Sequence, residues 1–207
     1  MSKLQSESER RPNGPAIDET ALHVLTRLSM MSLAPDNARG RLREFMDAGL
    51  DPGEWLMITS NLDEAKIGRA ALAATGGSAK AWQLIADAIE ASPYPDGEWE
   101  PARRILGDAL LASLLGVSAA SVRRYAGRER TTPDGVAERL HELGRITAAL
   151  LGSYNDYGVR RWFGRARNQL DGHAPEDVLN GQWAPDDPDV IRVVALAEAL
   201  THAGAGA

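Results

Sequence analysis

A chain of 207 residues with 23 Lys and Arg against 29 Asp and Glu, and so a formal charge of −6, can bury the core of one large or two small domains. It cannot act as a general polycation. It contains no cysteine, which excludes disulfides, thiolate catalysis and cysteine-based zinc sites. The four histidines, His23, His141, His173 and His202, stand apart with no ligand spacing, so we expect no metal site, no cofactor and no catalytic triad, and hence no enzyme. A polar N-terminus without the apolar core of a signal peptide, and no apolar run near about 18 residues, predict a soluble cytoplasmic protein with no membrane partner.

Residues 1–16 carry Pro12, Gly14 and Pro15 among polar side chains and are expected to be a disordered tail. Residues 17–91 read as a helical module. Its first helix is capped by Asp18 and carries Ala21, Leu22, Val24, Leu25, Leu28 and Met31 at helical spacing. A second helix bears Leu42, Phe45 and Met46 and stops at Gly49, and a short one bears Trp55, Leu56 and Ile58. Residues 62–74 are Ala-rich and helical in pattern, and beyond Gly76-Gly77 a further helix places Trp82, Leu84, Ile85, Ala88 and Ile89 on one side. No phosphate-cradling loop or activated nucleophile is legible in the module, which suggests oligomerisation or signal sensing. Residues 92–101 concentrate three prolines, a glycine and three acids and are predicted to be a linker.

The most informative stretch is Asp108 to Gly127, within a predicted DNA-binding region over 102–152. Leu111, Ala112 and Leu115 line one face of a short helix that Gly116 ends, Val117 plugs the corner, and Ser118 caps the next helix. There Val122, Tyr125 and Ala126 fall on one face and leave Ala120, Ser121, Arg123 and Arg124 outward. Small side chains followed by guanidinium groups suit close approach to a DNA groove, so the pair reads as a helix-turn-helix. Two short helices about a glycine turn also occur in plain helical bundles. Charge favours DNA: Arg103, Arg104, Arg123, Arg124, Arg128 and Arg130 lie within 28 residues that hold two acids, Asp108 and Glu129. The expected DNA contacts are Ser118, Ala120, Ser121, Arg123, Arg124, Arg128 and Arg130. Arg104 is expected ahead of the first helix and able to reach the phosphate backbone alone. A longer helix from Pro133-Asp134 to Gly152 then presents Val136, Leu140, Leu143, Ile146 and Leu150 as a stripe for packing behind this pair.

Residues 153–200 contain Arg161-Trp162-Phe163, Gln169-Leu170-Asp171-Gly172, Pro175-Glu176-Asp177-Val178-Leu179 and a terminal helix with Val190, Val193, Val194 and Leu196. In order and spacing this resembles the C-terminal toxin-binding domain of the MbcA/ParS/Xre antitoxins, which in that family follows an Xre-like helix-turn-helix. The combined resemblance covers about residues 102–200. It implies a dimeric repressor of its own operon and a cognate toxin of RES or ADP-ribosyltransferase-like fold that consumes NAD. Residues 201–207 are expected to be a flexible tail. Arg160, Arg161, Arg165 and Arg167 form a second basic cluster, suited to phosphates flanking an operator, to an acidic partner, or to no more than a solvated helix face.

The sequence therefore predicts an all-α protein that works by binding. The first expectation is a sequence-specific, autoregulatory transcriptional regulator that binds double-stranded operator DNA as a homodimer. The alternative is an antitoxin whose main role is to block a toxin's NAD site.

Overall fold

The computed structural model describes residues 19–32, 86–87, 89–91 and 93–203. Among these, all regular structure is helical, as expected of an all-α chain. The helices are α1 (Glu19–Met30), α2 (Pro95–Leu106), α3 (Asp108–Leu115), α4 (Ala119–Ala126), α5 (Asp134–Leu151), α6 (Asp156–Phe163), α7 (Pro175–Val178) and α8 (Pro188–Ala203), with a 3-10 turn at Asn168–Leu170. The 1–16 tail, the helices expected between residues 35 and 85, and residues 204–207 lie outside the described residues.

α5 is the hub. α1, α2, α6 and α8 all pack on it, and α3 touches it as well. The expected stripe of Val136, Leu140, Leu143, Ile146 and Leu150 is buried, but so are Arg139, His141, Glu142 and Thr147. The helix is thus enclosed nearly all round; Arg139, His141 and Glu142 are buried with partners, whereas the Thr147 hydroxyl is buried without one. His141 Nδ1 lies 2.5 Å from Glu98 Oε1 of α2. Arg27 of α1 is fully buried and donates through Nε to Glu90 Oε1 at 2.8 Å. Burial pushes the Glu142 carboxyl above the usual range, against the opposing pull of Arg145, whose guanidinium reaches Glu198 of α8 at 2.6 Å.

The predicted linker is a correction. From Pro95 onward residues 92–101 form the first half of α2, with Pro95 in its favoured first turn and Trp99 buried at 2% exposure. Pro101 sits inside this helix and donates no hydrogen bond to the Gly97 carbonyl four residues back. That carbonyl is satisfied from outside, accepting from Ser32 Oγ at 2.7 Å. The turn that follows α1 therefore seals the gap a proline opens in α2, and a Cβ on Gly97 would overlap the Met31 carbonyl oxygen. Within the 17–91 region, Val24, Leu25 and Leu28 of α1, and Met31 directly after it, are buried as expected, and α1 packs on α2 and α5. α8 continues to Ala203, so the first three residues of the expected 201–207 tail are helical.

Candidate nucleic-acid interface

α3 ends at Gly116 in the left-handed conformation (φ 65°, ψ 34°), and Val117 N–H donates to the Ala112 carbonyl at 3.0 Å. This is the glycine-terminated turn expected from the sequence. α4 starts two residues later, where Ser121 N–H donates to Ser118 Oγ at 3.1 Å and the two hydroxyls lie 2.9 Å apart. Val122 and Tyr125 are buried and Ala126 is half-buried against the core. Ser118, Ala120, Arg123 and Arg124 are exposed and Ser121 is half-buried, so the outward face of α4 carries the side chains expected there.

The turn is braced by the C-terminal third of the chain. Trp183 Nε1 donates to the Leu114 carbonyl at 2.8 Å and Arg139 Nε to the Leu115 carbonyl at 3.2 Å. These are carbonyls of the last turn of α3, which have no partner within their own helix. A Cβ on Gly116 would overlap the Gly181 carbonyl oxygen, so backbone meets backbone at the corner. On the other side Trp99 stacks on Tyr125 (centroids 5.6 Å apart, planes at 24°) and donates to Thr132 Oγ1 at 2.9 Å. α4 is clamped by an aromatic contact from α2 and α3 by hydrogen bonds from residues that sequence periodicity does not connect.

The arginines divide by what they touch. Arg123 Nη1 is 3.6 Å from Asp108 Oδ2, and Arg103 Nε is 2.8 Å from Asp108 Oδ1. The hydrogen bond from Arg103 holds the Asp108 carboxyl below its ordinary range. Arg124 Nε donates to the Ala120 carbonyl at 3.4 Å along its own helix. Arg128 is 4.0 Å from Asp96 and 68% exposed, and Arg130 lies over the Tyr125 ring at 5.6 Å. Arg128 also has φ 56°. Arg128 N–H donates to the Tyr125 carbonyl and Glu129 N–H to the Arg124 carbonyl, a helix-ending motif whose left-handed position normally takes glycine. Arg104 is exposed and sits in the last turn of α2, ahead of α3, the first helix of the pair, as expected. Arg103 and Asp108 on this surface, and the buried Trp99 behind it, are the residues that spacing did not single out.

The second basic cluster is not one surface. Arg160 Nη1 donates to the Ile105 carbonyl at 2.5 Å and so ties α6 to the end of α2. Arg167 lies over the Trp162 ring at 5.2 Å with its Nε buried. Arg161 and Arg165 are exposed, Arg161 bonded to the Tyr157 hydroxyl at 3.2 Å. Two of the four arginines thus do structural work.

No helix among the described residues is long and apolar enough to cross a membrane. Comparison of the chain with family models, with curated proteins and with solved structures finds no match.

Proposed function

We propose that α3 and α4 form a helix-turn-helix and that the protein is a sequence-specific regulator that lays α4 in the major groove of its operator. The observation that carries this reading is the outward face of α4. Small residues, Ala120 and Ser121, stand at its start and Arg123 and Arg124 follow, while Val122 and Tyr125 anchor the opposite face. A braced short helix with small residues leading and arginines trailing can bring backbone close to base edges and still reach guanine or phosphate. Arg128, Arg130 and Arg104 then hold the phosphates on either side. One such helix reads a few base pairs, so a two-fold dimer on half-sites about 34 Å apart completes the site, with autoregulation as the resemblance to the MbcA/ParS/Xre antitoxins implies.

The test is the affinity of the full chain for a duplex from its own promoter and for a scrambled duplex, measured across a salt series. Preference for the promoter duplex should be about a thousandfold or more. Arg124→Ala should cost about 1–3 kcal/mol on the promoter duplex and relax one operator position, whereas Arg104→Ala should weaken both duplexes alike and shallow the salt slope by about one. Equal affinity of the wild-type protein for the two duplexes removes the proposal.

A second reading, an antitoxin that docks on a toxin, is favoured by the surface at the start of α6. Tyr154 and Tyr157 are among the exposed large side chains of the described residues, and the Arg161 guanidinium rests over the Tyr157 ring at 5.8 Å. Exposed tyrosine and arginine are the side chains that anchor protein interfaces.

A further inference from the structure

Asp108, the first residue of α3, has its carboxylate between arginines from two other helices. Arg103, in the last turn of α2, donates from Nε to Oδ1 at 2.8 Å and from Nη2 to Oδ2 at 3.4 Å. Arg123 of α4 approaches Oδ2 from the other side at 3.6 Å. A pair of guanidinium groups around a two-oxygen anion is the arrangement that a DNA phosphate would take from the same side chains. The start of α3 adds its own preference for negative charge. We infer that Asp108 is a built-in competitor for DNA phosphate, occupying the Arg103–Arg123 fork and so limiting the affinity of the protein for every duplex, whatever its sequence.

This rests on the DNA-binding reading above. Its physical content is a change in how many phosphates the basic surface can neutralise. Glu100 also pairs with Arg103, at 3.5 Å from an exposed side chain, and loss of the Asp108 carboxylate raises the net charge around the fork by one, while sequence-independent affinity follows the number of counterions released. The carboxylate is a brake and not a block. Arg123 is 59% exposed, its contact with Asp108 is long, and pairs of that kind are worth little, so a phosphate can displace the carboxylate. Glu129, the other acid between residues 103 and 130, makes no ion pair with Arg103 or Arg123. The two acids therefore carry equal charge on one surface, but one of them alone fills the fork.

The experiment compares Asp108→Asn with Glu129→Gln in the full chain, by fluorescence anisotropy on the promoter duplex and a scrambled duplex over a salt series. Asp108→Asn should tighten both duplexes about tenfold near 0.1 M salt and steepen the salt slope by about one, the signature of one more neutralised phosphate. Glu129→Gln should tighten them less than about threefold with the slope unchanged, and adding Arg103→Ala to Asp108→Asn should abolish the gain. Asn keeps an acceptor at the start of α3. Asp108→Ser is the second variant, and circular dichroism on each establishes that the helices are intact. Equal gains from Asp108→Asn and Glu129→Gln would reduce the effect to net charge and overturn the inference, as would an Asp108→Asn slope identical to that of the wild type. Absence of duplex binding by the wild type and all variants would instead remove the DNA-binding reading, and this inference with it.

Discussion

Trp183→Phe is the sharpest probe of how the C-terminal third braces the α3–α4 pair. Trp183 is 6% exposed, and its indole N–H donates at 2.8 Å to the carbonyl of Leu114, itself fully buried. Phenylalanine keeps an aromatic ring but has no donor, so a buried carbonyl in the last turn of α3 loses its partner, at about 1–3 kcal/mol. The smaller ring also leaves part of the indole volume unfilled within the buried cluster to which Trp183 belongs, which adds about 1 kcal/mol. The sum is about 2–4 kcal/mol, and for a chain of this length each kcal/mol moves Tm by about 2–4 °C, so a fall of roughly 5–15 °C is expected. Urea unfolding followed by far-ultraviolet circular dichroism measures the first quantity and a thermal scan the second. A loss below about 0.5 kcal/mol would refute the reasoning, because the Leu114 carbonyl would then find another partner and the indole would not be a clamp.

Arg128→Gly should stabilise the fold by about 0.5–1 kcal/mol, because glycine adopts the left-handed conformation at the end of α4 without the strain of a side chain. The same change should weaken binding to all duplexes and shallow the salt slope by about one, so stability and binding move in opposite directions, and a destabilised Arg128→Gly would count against the strain argument. For Glu142, burial holds the folded-state carboxyl above its unfolded value. The folded chain therefore binds the proton more tightly, and this contribution to stability is complete below the ordinary carboxylate pKa and lost as pH rises through the raised folded value. Glu142→Gln should flatten the pH dependence of unfolding free energy in that window, and an unchanged profile would show that Arg145 fully offsets the burial.

The sequence by itself determined the local features that one helix face or one turn can encode. The all-α class, the Gly116 turn, the Ser118 cap, the buried Val122 and Tyr125 and the apolar stripe of α5 each follow from side-chain spacing at the helical period, or from a residue with one conformational role. Composition misled at 92–101, because three prolines and several acids look like a linker. The helix forms there because Pro95 stands in its first turn, and a distant serine, Ser32, satisfies the carbonyl that Pro101 leaves bare. The same limit applies to the site. Exposure of Arg123 and Arg124 was legible from helical phase, but the convergence of Arg103 and Arg123 on Asp108 and the separate fates of Arg160 and Arg167 were not. Nor did spacing reveal that Arg27, Glu98 and His141, from three helices, are buried together around α5. A buried polar side chain is tolerated when its partner is present. Here the partners stand up to 114 residues apart, so tertiary packing alone decides which charges are spent inside the protein and which remain for a ligand.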